Sequence, residues 1–242
     1  MIRDALELIT ELKEKAMEPK VVEIDGKTYC NKSLTRYDIE PVANKITVST
    51  LTALVDYIKG CPEELKDKMI IHIKSPSRIS LISGLNAERE RESLLEVEAD
   101  LPHFIANRWV EQEEFILELQ SKFVSTPDLE SIMQVAGNIE AKTTANYGDD
   151  GVTQKTTITQ GVASKTDVIV PNPVTLVPYR TFLEIQQPAS NFVFRIDGSG
   201  SVPEFTLIEA DGGLWINKSK TRIKEYLEKE LEGISSNIVI IA

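Results

Sequence analysis

Residues 161–195 read GVASKTDVIVPNPVTLVPYRTFLEIQQPASNFVFR, and the fold is decided here. Val168, Ile169 and Val170 form an apolar β-branched run. Pro171 and Pro173 cut it, because proline lacks the N–H that a sheet ladder needs. Residues 174–177 are apolar again and stop at Pro178. Residues 181–186 (TFLEIQ) then read as a strand ended by Pro188, and residues 191–196 (NFVFRI) as the next. Along the latter, Phe192, Phe194 and Ile196 fall on one face, with Val193 and Arg195 on the other, because strand side chains alternate. The intervening QPAS has turn composition. The two segments are expected to pair antiparallel, with Phe182 and Phe194 sharing one core. Arg180 would then sit at the strand mouth on the Phe182 side, and Arg195 on the opposite face.

Working outward, the chain after Gly137 is mostly β. A hairpin is expected around Gly148-Asp149-Asp150-Gly151, and the paired aspartates read as turn formers rather than as a cation site. Gly198-Ser199-Gly200-Ser201 reads as a loop tip. Residues 204–210 form a strand, and Asp211-Gly212-Gly213 turns it back into Leu214-Trp215-Ile216. A last helix is expected from a cap at Asn217 or Ser219. The tail NIVIIA, residues 237–242, is apolar enough to require a buried strand or a subunit interface.

The first half alternates helices and short strands. Residues 1–17 place Ile2, Ala5, Leu6, Ile9, Leu12 and Ala16 on one helical stripe, which the body of the protein or another subunit must cover. Asp25-Gly26, flanked by residues 21–24 (VVEI) and 27–30 (KTYC), is a two-residue hairpin signal. Ile46-Thr47-Val48 leads to Ser49 or Thr50 as the cap of a helix. Residues 69–73 and 78–82 read as strands around Ser75-Pro76-Ser77, and residues 94–99 as another. A helix spans residues 110–124. Thr126 caps one more, which Gly137 ends. The expected fold is therefore α+β: a mixed portion over residues 1–125, then a largely antiparallel β portion over 126–242 closed by a helix and a strand. One continuous domain fits the same pattern.

Composition bounds the function. The 242 residues are 41% hydrophobic and 27% charged, with net charge −11 shared by both halves. Such a chain repels a phosphate backbone at long range, so general nucleic-acid binding is disfavoured. No run is apolar enough to span a bilayer. Cys30 and Cys61 lack CxxC spacing, and a reduced cytosolic setting follows. His72 and His103 stand in unrelated contexts, and no phosphate loop, dinucleotide fingerprint, GxSxG or metal-ligand pattern occurs. Neither catalytic residues nor a metal or other cofactor is expected.

Four residues stand out for binding. Arg180 and Arg195 offer guanidinium forks for a carboxylate or phosphate. Tyr179 and Trp215 offer stacking surfaces. The ordinary reading of each arginine is a solvated or salt-bridged side chain.

The stretch NPVTLVPYRTFLEIQQPASNFVFR (172–195), followed by EADGGLW (209–215), a helix and an IIA end, resembles the YfdQ-type family of phage and prophage proteins. FILELQSKFV (115–124) and DDGVTQ (149–154) are similar to that family too. The resemblance covers residues 105–242 most fully. It implies a bacteriophage or prophage origin and expression inside a bacterium, and it carries over no activity or site residue. The expected function is a non-enzymatic, homo-oligomeric binder in the bacterial cytoplasm. It would act on host defence by sequestering a small anionic, nucleotide-type signal or by blocking a host protein. The alternatives are an accessory protein of phage DNA replication or recombination, and an oligomeric structural or assembly protein.

Overall fold

Asp25 and Gly26 both take positive φ, 52° and 71°, as a two-residue turn between right-twisted strands requires. Strands β1 (Val21–Ile24) and β2 (Lys27–Cys30) pair antiparallel across that turn, with Ile24 opposite Lys27. They follow helix α1 (Ile2–Met17). The computed structural model describes residues 2–33, 43–60, 68–86, 89–139, 147–149, 153–160, 164–197, 202–233 and 237–242. The chain divides into two compact units, Met1–Val42 and Ala43–Ala242. In the first, no residue of α1, β1 or β2 is buried, and the predicted stripe of α1 stays exposed along its length.

The second unit contains, in chain order, β3 (Ile46–Val48), α2 (Leu51–Gly60), β4 (Met69–Ser75), β5 (Arg78–Ser83), β6 (Ser93–Glu98), β7 (Val110–Glu111), α3 (Gln112–Lys122) and α4 (Pro127–Asn138). There follow β8 (Tyr147–Asp149), β9 (Thr153–Gln160), β10 (Ser164–Pro171), β11 (Val174–Leu176), β12 (Ser190–Asp197), β13 (Glu204–Glu209), α5 (Leu214–Glu230) and β14 (Ile238–Ile241). With helices and mostly antiparallel sheets, the fold is α+β.

This unit has two cores. The first lies between a five-stranded sheet, ordered β14-β4-β5-β6-β3, and helices α2 and α5. Ile71 pairs with Leu81, and Leu81 with Leu95, so one sheet face is a continuous apolar surface. Leu54, Ile58, Ile223 and Leu227 of the two helices cover it. The outer strands β14 and β3 run parallel to their neighbours. The second core lies between a four-stranded sheet, ordered β11-β12-β13-β7, and helices α3 and α4. Phe115 stacks on Phe194 and Phe205, with centroids 5.8 and 5.1 Å away. A three-stranded sheet, β10-β9-β8, forms the expected hairpin and its extension. The expected boundary near residue 125 falls between α3 and α4, whose side chains share the second core. Cys61, Asp150 and the Gly198-Ser199-Gly200-Ser201 tip lie outside the described residues.

Local signals explain several helix starts. Thr126 accepts from the Leu129 N–H at 3.2 Å, with Pro127 in the first turn of α4. Thr50 accepts from the Ala53 N–H at 3.1 Å at the start of α2. A second acceptor there comes from far along the chain: Glu184 takes the Thr52 N–H at 3.2 Å.

Two expectations are corrected. Residues 181–186 are not a strand. β12 pairs with β11 and β13 instead, and Phe182 belongs to the first core while Phe194 belongs to the second. Prolines 178 and 188 remove ladder donors at both ends, and the segment buries Phe182 and Ile185 at i,i+3 spacing while Leu183 is exposed. The last helix begins at Leu214, not after Asn217. Asp211 accepts from the Gly213 N–H at 3.1 Å, and Gly212 and Gly213 take positive φ, so the reversal is complete within three residues. Trp215 is therefore in the first turn of α5. The tail is an edge strand, with Ile238 and Ile240 against the first core and Val239 and Ile241 exposed.

On the other face of the five-stranded sheet, Glu96 accepts from Lys45 Nζ at 2.8 Å and Lys74 Nζ at 3.0 Å, with Arg78 Nε 4.0 Å away. The hydrogen bond from Lys45, then that from Lys74, holds its carboxyl below the ordinary glutamate value of 4.5. A carboxylate depressed by folding stabilises the fold fully above that value, and the contribution is lost as pH falls below it. In urea titrations at stepped pH, Glu96→Gln is expected to flatten the acid limb of stability below about pH 4.5 relative to the parent. An unchanged acid limb would assign that sensitivity to other carboxylates.

Candidate functional site

Segment 177–190 crosses from the second core to the first and returns. Phe123 bridges Pro178, and the Tyr179 N–H donates to the Lys122 carbonyl at 3.0 Å, which fixes its start against α3. Phe182 and Ile185 then enter the first core. Gln187 holds the bend between them. Its Oε1 accepts from the Arg180 and Thr181 N–H groups at 2.9 and 3.2 Å, and its Nε2 donates to the Thr181 and Phe182 carbonyls at 3.1 and 3.0 Å. Thr181 Oγ1 donates to the Pro76 carbonyl at 2.6 Å, and Arg222 reaches the carbonyls of Gln186 and Gln187. A loop with few ladder bonds is thus satisfied by side chains.

The crossing carries Arg180 to the join between the cores. Its side chain is 10% exposed. Nη1 donates to Glu209 Oε1 at 2.5 Å and lies 3.4 Å from Ser190 Oγ. The guanidinium lies over three rings, Trp215 at 4.7 Å, Phe192 at 5.2 Å and Phe104 at 5.8 Å from the centroids. Phe104 and Phe192 belong to the second core, and Trp215 belongs to α5, which covers the first. Arg180 is therefore a clamp across both cores, and its charge is compensated by Glu209. Trp215 Nε1 is buried without a hydrogen-bond partner among the described residues.

Of the four predicted binding residues, the fold brings Arg180 and Trp215 together. Tyr179 is half-buried and contributes none of the rings around the guanidinium. Arg195 pairs with Thr206 on the sheet face opposite Phe192 and Phe194, as the alternation predicted, so the sheet separates it from Arg180. Glu209, Gln187 and Phe104 were not singled out. Glu209 had a signal: it continues the inward positions Phe205 and Leu207 of β13, where an acid needs a cation. Phe104 and Gln187 carried none.

Replacing Arg180 by methionine keeps most of the packing and removes the ion pair and the cation–π contacts. The expected loss is about 2 kcal/mol in urea titration, with a shift in tryptophan emission as the Trp215 ring loses its cation. No loss and unchanged emission would mean the clamp adds nothing. Comparison of the chain with protein-family models, curated proteins and solved structures finds no match.

Proposed function

We propose that this protein is a non-enzymatic binding protein of phage or prophage origin that acts in the bacterial cytoplasm by covering a host defence protein. The observation that carries the reading is the exposed apolar surface of the first unit. Ile2, Leu6, Ile9 and Leu12 of α1 are each more than half exposed, as are Val21, Val22 and Ile24 of β1. The α1 residues share one helical stripe, and an uncovered apolar stripe of this kind marks a contact site for a macromolecule. The alternative of sequestering a small anion is weakened on two counts. Glu209 already neutralises Arg180, and Arg195 faces the other side of its sheet.

Cross-linking mass spectrometry on the full chain, purified from defence-active cells, is expected to map links from residues 2–30 onto one host protein. Leu6→Glu with Ile9→Glu should abolish those links while leaving the second unit folded. Links that survive these changes, or that start only from the second unit, would overturn the reading.

One observation favours a second reading, retention of a small nucleotide-type ligand at Arg180 and Trp215. It is the buried Trp215 Nε1–H, without a hydrogen-bond partner among the described residues, on a ring whose centroid lies 4.7 Å from the Arg180 guanidinium. Native mass spectrometry separates the two. A nucleotide released on denaturation, and absent from Arg180→Met, would favour this ligand over the covering role.

A further inference from the structure

The segment that bears Arg180 carries an inference beyond that reading. Among the described residues, no helix or strand of the first core packs broadly on one of the second. Segment 177–190 spans the join, and its two ends stay with the second core. The Tyr179 N–H donates to the Lys122 carbonyl at 3.0 Å, and Ser190 pairs with Leu176 in the ladder of β11 and β12. Its middle belongs to the first core. Phe182 and Ile185 are buried there, and among the described residues Phe182 is the one buried aromatic ring that this core has. Hydrogen bonds tie the same stretch to three places in the first core's framework. Thr181 Oγ1 donates to the Pro76 carbonyl at 2.6 Å, in the turn between β4 and β5. Glu184 accepts from the Thr52 N–H of α2 at 3.2 Å. Arg222 Nη1 of α5 donates to the Gln186 and Gln187 carbonyls at 2.9 and 3.2 Å.

We infer that segment 177–190 is a strap that opens together with the first core, as one cooperative unit, while the second core stays folded. The asymmetry lies in what each core gives up when the strap leaves. The first core loses its buried ring, Ile185 and the bonds at Pro76, Thr52 and Arg222. The second loses the contacts of Arg180 on the Phe104 and Phe192 rings. It keeps its own stack of Phe115, Phe194 and Phe205. Regions held by shared buried contacts open together, and regions with independent contacts open separately. The seam that parts is the one where Arg180 lies over Trp215 of α5.

The test is native-state amide exchange of the full chain at low urea concentrations. Thr181 reports the strap, and Thr52 and Leu81 report the first core. Phe192 reports the second, and both Leu81 and Phe192 lie on strands paired on each side. In the parent, Thr181, Thr52 and Leu81 are expected to share one protection factor and one urea dependence, with Phe192 protected at least about tenfold more. Ile58→Val, in α2 of the first core, should lower the protection of all three by the same factor, about two- to tenfold. Ile132→Val, in α4 of the second core, should lower Phe192 by a similar factor and leave Thr181, Thr52 and Leu81 unchanged. Equal protection of Leu81 and Phe192 in the parent would overturn the inference, because the two cores would then open as one. So would a Thr181 amide that ignores Ile58→Val, which would mean that the strap opens by itself, or one that follows Phe192 in Ile132→Val.

Discussion

Phe182→Ala is expected to destabilise the second unit by about 3–5 kcal/mol, the largest effect of a single change described here. Phe182 is 1% exposed and sits in the first core with Ile185, although it comes from a segment that starts and ends beside the second. Truncation removes a ring's worth of buried contacts and leaves a cavity beneath α2 and α5 that the bend around Gln187 cannot close. The crossing would also loosen, and Glu184 would lose its hold on the Thr52 N–H. Urea titration followed by circular dichroism gives the loss, and amide exchange at Thr52 reports the second effect. A loss below about 1 kcal/mol would show that the loop adapts to the missing ring. Phe182→Leu, which keeps most of the volume, should recover more than half of the stability.

The second large effect is expected at Gln187. Gln187→Leu keeps the approximate shape and deletes all four bonds. The N–H groups of Arg180 and Thr181 and the carbonyls of Thr181 and Phe182 then lose these partners, and Thr181 is fully buried. An unsatisfied buried group costs about 1–3 kcal/mol. Water can reach part of the bend, so the total is expected on the order of 3 kcal/mol. Gln187→Glu is the informative companion. Its carboxylate can still accept from both N–H groups but cannot donate to either carbonyl. It should lie between the parent and Gln187→Leu at acidic pH, where the protonated acid regains one donor, and approach Gln187→Leu at neutral pH, where a buried charge is added. Equal stability of all three proteins would remove Gln187 from its role as organiser of the crossing.

These two residues show why the central stretch was only partly legible. Residues 181–186 have the composition of a strand, and alternation alone assigned them to the neighbouring sheet. What competes is not local. Phe182 gains more by entering the first core, and Gln187 replaces the ladder with side-chain bonds, so the segment needs no strand partner. The same applies to the candidate site. The opposite placement of Arg195 was visible, because strand alternation is a property of a few consecutive residues. The pairing of Arg180 with Glu209 and its place over Trp215 were not, because they require α5 to begin at Leu214 and the crossing to bring Arg180 back beside Phe192.

Features carried by neighbouring residues, and the fold class that their order implies, are legible in the chain alone. They include the Asp25-Gly26 turn, the Thr126 cap, the face of β12 that carries Phe192 and Phe194, and the α+β class. The assembled fold sets the two cores of the second unit, the neutralised and stacked place of Arg180 between them, and the parallel lie of β14 on β4, with no strand on its other side among the described residues. The difference lies in the range of the forces involved. Turn, cap and alternation preferences act between neighbours along the chain. Burial and ion pairing act between any surfaces that meet, and which surfaces meet is settled by the whole chain at once.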